Sequence, residues 1–191
     1  APVHAEGKED IPMPSSFVSW PLDSERGRLK FTSDASDFFS DDGQIGMSSS
    51  NRIRGVILHE ILSRVVLPED LASSVLESVV SGVLTSEEAS VVEKMLSESI
   101  ENVRSLGWFP DRRDAVLNET SIIDTDGRIY RPDRVIKDGD KVIVVDFKFG
   151  CHDDRYVSQV NRYARLWRRM GYGDVSGFLW YPDTGEIMKV C

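Results

Sequence analysis

Cysteine is nearly absent from this 191-residue chain. Cys151 and Cys191 are the only two, forty positions apart. Two thiolates cannot by themselves complete a four-sulfur zinc or iron–sulfur site. They are also too few for a disulfide framework, so the expectation is free thiols in a reducing, cytoplasmic compartment. Long apolar runs are lacking as well. The longest is Val142-Ile143-Val144-Val145, whereas a membrane-spanning helix needs about 20 residues. Residues 1–10 hold three acidic side chains and no apolar block, unlike a secretory signal. The first residue is Ala1 rather than Met, as expected of a processed chain or of a segment of a longer polypeptide. A glycine loop ending in Gly-Lys-Ser/Thr is missing, so no nucleotide site is expected in this chain. No internal repeat is visible.

What is present describes a folded domain. Hydrophobic residues make up 40% and charged residues 29%, a balance that supports a core rather than disorder. The length fits one domain with an extension. The net charge is −9, unevenly placed. Residues 1–50 hold 4 basic and 9 acidic side chains, residues 51–106 hold 5 and 9, and residues 107–191 hold 14 and 14. The whole is a poor free-standing polyanion binder. Any such contact is expected in the arginine-rich last third.

Residues 1–50 are rich in Ser, Asp, Gly and Pro and read as irregular chain and linker, including Ser48-Ser49-Ser50. A short strand near Leu29–Thr32 is the one element expected there. Residues 52–66 are apolar on nearly every face, which predicts a buried helix ended before Pro68. A second helix is expected over 69–83. Thr85 precedes Glu88 by three, a capping-box signature, for a third helix running to about Leu106 with Gly107 as its stop. The period then shortens. Strands are expected over 115–123, 129–136 and 141–149, with turns at Asp126-Gly127 and Asp138-Gly139-Asp140. A helix over 156–170 follows, with apolar stripe Val157, Val160, Tyr163, Ala164, Trp167 and Met170. Two last strands are expected, over 175–181 and 186–190.

The chemistry-bearing residues lie in the second half. Period-two alternation puts Asp146 and Lys148 on one face of the third strand, with Phe147 and Phe149 on the other. If the preceding turn is Asp138-Gly139, Asp133 faces Val144 and has Asp146 as its diagonal neighbour. If it is Gly139-Asp140, Asp133 faces Asp146. Either register gathers two carboxylates and an ammonium within roughly 5–8 Å between backbones. Paired carboxylates hold a hard divalent cation. Such a cation activates water and offsets charge on a phosphate, and a neighbouring lysine can position the nucleophile. The competing reading pairs Asp133 with Arg131 or Arg134 and leaves Lys148 on the surface. Against it stands His59, a polar imidazole within the most apolar helix. Gln159 and Tyr163 share a helix face one turn apart. Arg155, Arg162, Arg165 and Arg169 fall within roughly 80° on the same helix, a face open to phosphate or simply to solvent.

Gly55-x-x-x-His59, Arg131-Pro132-Asp133-Arg134, Val145-Asp146-Phe147-Lys148 and Gln159-x-x-x-Tyr163 stand in the order seen in RecB-type nuclease domains. These belong to the PD-(D/E)xK superfamily and often end UvrD-like helicase–exonuclease chains. The resemblance covers roughly residues 51–190. It implies an α/β fold of the restriction-endonuclease-like kind, a mixed central sheet flanked by helices with a helical N-terminal part. It implies a nuclease domain over 51–191, preceded by the 1–50 extension. The activity implied is Mg²⁺- or Mn²⁺-dependent DNA hydrolysis, as an exonuclease in recombination and repair.

Residue by residue, the resemblance makes Asp133, Asp146 and Lys148 catalytic. His59, Asp133, Asp146 and the Phe147 carbonyl become the metal ligands, and Lys148 orients or activates the attacking water. Gln159, Tyr163 and Arg162 become site-shaping or DNA-contacting residues. Glu119 is an outer carboxylate, with a plain salt bridge as its other reading. The cysteine cluster of related iron–sulfur nucleases is missing, so no such cluster is expected. The implied partners are DNA, as single strands or duplex ends, a helicase domain of the same longer chain, and a second nuclease–helicase subunit; no membrane is implied. The alternative is a catalytically inactive relative that binds DNA or a helicase partner.

Overall fold

The computed structural model describes residues 48–191. The segment expected to be irregular lies outside the described residues up to position 47, as does the strand expected near Leu29–Thr32. Ser48-Ser49-Ser50 is a correction. It reads as linker by composition but forms the first turn of α1 (Ser48–Arg64).

Two further helices follow, α2 (Asp70–Val80) and α3 (Ser86–Val103). The capping box forms: Glu88 donates its backbone N–H to Thr85 Oγ1, and the Glu88 carboxylate accepts from the Thr85 N–H at 2.9 Å. A 3₁₀ turn over Arg104–Leu106 then ends at Gly107, whose φ of 72° is open to glycine without strain. The α1 helix is not buried all round. Leu58, Ile61, Leu62 and Val65 are sealed in the core, but Ile53 is 62% exposed. In α2, Leu76 and Val80 likewise face outward. In the stripe expected over 156–170, Met170 is exposed as well.

The sheet elements are β1 (Val116–Asn118), β2 (Ile122–Ile123), β3 (Ile129–Tyr130), β4 (Arg134–Asp138), β5 (Lys141–Phe147), β6 (Asp174–Tyr181) and β7 (Glu186–Lys189), with α4 (Asp154–Arg169) between β5 and β6. Two strands expected to be continuous are each split. The 115–123 strand breaks at Glu119, the one non-glycine residue with positive φ (50°) among the described residues. The 129–136 strand breaks at Arg131-Pro132-Asp133, where proline removes a ladder donor. The released pieces β2 and β3 pair as a separate hairpin. The main sheet runs β1-β4-β5-β6-β7. Among the described residues its parallel pair is β5 with β6, bridged by α4, and the other pairs are antiparallel.

Both faces of β5 are covered, which explains its unbroken apolar run. Ile143, Val145 and Phe147 pack with α1, α2 and α3. Val142 and Val144 pack with Tyr163, Ala164, Leu166 and Trp167 of α4. The molecule is therefore α/β, a mixed five-stranded sheet between helical layers. The β4–β5 ladder runs from Asp138↔Lys141 to Arg134↔Val145. The turn is Gly139-Asp140, and one more step of the ladder brings Asp133 beside Asp146.

Arg134 ties α1 to this sheet. It is fully buried and turned away from Asp133. Its guanidinium donates to the carbonyls of Val65, Val66 and Trp108, each at 2.7 Å, and to Asn118 Oδ1 at 3.1 Å. Asn118 Nδ2 donates in turn to the carbonyls of Ser63 and Val65. The unpaired carbonyls at the end of α1 are thus satisfied from β1 and β4. At the other end, a Cβ on Gly55 would lie 3.2 Å from Phe149 Cβ. Glycine lets α1 approach the end of β5 closely, one turn before His59.

Candidate metal and catalytic centre

Asp133 is the hub. It sits in the break between β3 and β4, almost fully buried. Its Oδ2 accepts the Phe147 backbone N–H at 2.6 Å, and its Oδ1 lies 3.1 Å from His59 Nε2. His59 reaches it from α1 with its ring edge-on to Phe147. The imidazole is not a core residue. A third of its side chain is open to solvent.

Glu119 comes from the β1–β2 break. Its Oε1 is 3.8 Å from His59 Nε2, and its Oε2 is 3.4 Å from Arg131 Nη1. One donor atom from each of His59, Glu119 and Asp133 lies within 4.8 Å of the others. This group shares His59 and Asp133 with the set that the resemblance implies. Glu119, given an outer role there, stands with His59 and Asp133. Phe147, implied to ligate through its carbonyl, contacts Asp133 through its N–H.

Asp146 lies at the same strand parity as Val142 and Val144, which pack on α4. It is fully buried. Its Oδ2 is 2.7 Å from Lys148 Nζ, but neither of its oxygens accepts an aligned hydrogen bond among the described residues. A buried carboxylate so poorly satisfied is costly unless something else meets it. Lys148 lies one residue beyond β5, its N–H on the Trp180 carbonyl. Its ammonium also donates to Gln159 Oε1 at 3.3 Å and stands 4.5 Å from the Tyr156 ring centre. Gln159 Nε2 donates to the Tyr163 hydroxyl at 2.8 Å, which donates to the Arg131 carbonyl at 3.2 Å. The chain of contacts thus runs from Lys148 back to the segment that carries Asp133.

Titration behaviour follows from this crowding. Burial and repulsion from Asp133 push Asp146 up to about 7, against the pull of Lys148 and His59. Burial and Asp133 also push Glu119 up to about 6. Burial alone would lower His59, but the charge and hydrogen bond of Asp133, with Glu119, raise it to about 9. Burial likewise works against Asp133 ionising, and His59, Lys148 and the Phe147 N–H overcome it, leaving its pKa below the ordinary value. Lys148 is held protonated by Asp146 and Asp133 despite its burial.

The donor set fits a hard or borderline divalent cation, with carboxylates and one imidazole and no thiolate. The under-satisfied Asp146 carboxylate supports the fit. Among the arginines of α4, Arg169 is not available to phosphate. It is tied to Asp124 Oδ1 at 2.6 Å and Thr125 Oγ1 at 2.9 Å. Arg155 pairs with Asp153, which caps the helix. Arg162 lies over the Tyr130 ring, and Arg165 is exposed. Sequence reasoning missed Tyr156, although it shares a helical face with Gln159 and Tyr163 at spacings of three and four. The site lies on a chain in which no helix among the described residues is long and apolar enough to cross a membrane. No protein-family model matches this chain, and no curated protein matches it.

Proposed function

We propose that this chain is a metal-dependent deoxyribonuclease with a RecB-type, restriction-endonuclease-like fold, acting as the exonuclease end of an ATP-dependent helicase–nuclease in DNA recombination and repair. One observation carries the reading: Asp133, Asp146, Lys148 and His59 meet at one end of β5, with Gln159 and Tyr163 of α4 bracing the lysine. The sheet order, with β5 and β6 parallel around α4, is compatible with it.

His59, Asp133 and Asp146 would hold Mg²⁺ or Mn²⁺. Such a cation, when bound, supplies Lewis acidity that makes water nucleophilic near neutral pH and offsets charge on the phosphate. In the reaction a water oxygen bonds to phosphorus while the phosphodiester P–O bond breaks; one water proton ends on the departing sugar oxygen and the other on the new phosphate or in solvent. Lys148, firmly protonated, serves as a positive group that orients the water and steadies developing negative charge, not as a proton acceptor. Gln159 fixes the lysine, and Tyr163 fixes Gln159. Arg162 on the rim is suited to a phosphate of the strand. The net charge of −9 leaves most of the DNA grip to the helicase domain of the longer chain and a partner subunit.

Two variants test the roles. Lys148→Ala is expected to keep Mn²⁺ binding and lose cleavage by about 10²–10⁴-fold. Asp146→Ala is expected to lose metal affinity and cleavage together. Calorimetric Mn²⁺ titration beside an end-labelled DNA assay reads both. Cleavage by Lys148→Ala at the parent rate would remove Lys148 from the mechanism, and with it this reading.

A further inference from the structure

We infer that Glu119 is itself a ligand of the divalent cation, completing a three-donor face with His59 and Asp133; the inference rests on the metal-dependent reading above. Three observations carry it. The first is distance. Single donor atoms of His59, Glu119 and Asp133 already lie within 4.8 Å of one another, a spacing one ion can bridge with modest side-chain movement. The second is orientation. Arg131 holds Glu119 Oε2 at 3.4 Å, which leaves Oε1 on the His59 side, 3.8 Å from Nε2. The Glu119 backbone is fixed to the hub as well, since its N–H donates to the Asp133 carbonyl at 3.1 Å. Two donors thus share one short backbone link across the β1 and β4 ends. The third is independent of this group. Asp146 Oδ1 is buried without a hydrogen-bond donor among the described residues, and the β4–β5 register sets Asp146 next to Asp133. That orphan oxygen sits on the residue beside Asp133 in the ladder, outside the 4.8 Å group itself.

The donor set has a consequence for ion choice. One imidazole with two or three carboxylates suits Mn²⁺, which accepts nitrogen and varied geometry. Mg²⁺ prefers oxygen donors in a near-ideal octahedron and dehydrates reluctantly. The site is expected to bind Mn²⁺ tighter than Mg²⁺ by at least an order of magnitude.

The test is Mn²⁺ binding to the full chain, read by calorimetry and by counting bound waters from electron spin-echo spectroscopy in labelled water. Glu119→Gln keeps the size and removes the charge. Glu119→Gly removes the ligand at a φ of 50° that glycine adopts freely, so its fold is retained and its metal-free melting temperature checks this. Both variants are expected to weaken Mn²⁺ binding by about 100-fold or more, beyond the usual 10–100-fold for an outer-sphere partner. In Glu119→Gly the water count on the ion is expected to rise by one. Parent-like affinity and water count in both variants would overturn the inference while leaving the metal reading intact, with Glu119 then only an ion-pair partner of Arg131. If the parent chain itself binds no Mn²⁺, both the inference and the metal reading fall.

Discussion

Asp146 carries the most consequential side-chain environment in the molecule: fully buried, beside a second carboxylate, with a lysine as its one close counter-charge. Without metal, burial and Asp133 favour the protonated form of Asp146, and Asp133 favours the protonated form of His59 despite its burial. Both must shed protons to ligate. Metal binding at pH 7 is therefore expected to release between one and two protons, and affinity should climb steeply between roughly pH 6 and 9. Calorimetry in buffers of different ionisation enthalpy measures that release; a value near zero would mean the donors are already deprotonated. Much of this site is legible from sequence. Strand alternation alone places Asp146 with Lys148 and away from Phe147. The Gln159–Tyr163 spacing yields the brace. Glu119 is legible only as an outer carboxylate, because its closeness to His59 follows a left-handed backbone that breaks β1 from β2, and a glutamate gives no local sign of that conformation.

At the level of elements, the position of α1 decides whether His59 reaches Asp133. Its C-terminal carbonyls are met by Arg134 and Asn118 rather than by a capping residue, and Gly55 sets its approach to Phe149. Arg134→Ala is expected to cost about 3–5 kcal/mol in urea unfolding, since it strands several buried carbonyls at once. Arg134→Lys should recover only part of this, because an ammonium cannot reproduce the planar fork. If Arg134→Ala unfolds at the parent midpoint, the strut contributes nothing. The capping box at Thr85 and the stop at Gly107 follow from short sequence rules and appear where expected. The split strands do not, because alternation tells which face a residue takes but not which sheet. Ile123 and Ile129 are apolar residues of the two expected strands, yet both are exposed on the separate hairpin. The outward turn of Ile53 has a similar cause: apolar content marks a helix as packed but not along how many of its faces.

Across the whole molecule, the shifted groups act in concert. His59 has its pKa raised from 6.5 to about 9, so the stability it adds is complete below the unfolded value and fades as pH rises through 9. Asp146 and Glu119, raised to about 7 and 6, bind protons more tightly folded than unfolded and also favour the fold at lower pH. Asp133 and Asp70 are lowered and work in the opposite sense, losing their contribution as pH falls below their unfolded values. The metal-free protein is therefore expected to be most stable near about pH 4–5 and to weaken steadily toward pH 9. Mn²⁺ should reverse that trend between roughly pH 6 and 9 by requiring the deprotonated donors. Thermal melts in chelator and in Mn²⁺ check both slopes. The central claim is that this assembly of carboxylates, imidazole and lysine hydrolyses DNA through a bound cation. Its most direct test is degradation of end-labelled single-stranded DNA by the full chain with Mn²⁺, with Mg²⁺ and with chelator. Cleavage with Mn²⁺ that stops on chelation and returns when the ion is restored is the predicted result. Cleavage that persists in chelator, or none under any ion from protein that binds Mn²⁺, would contradict it.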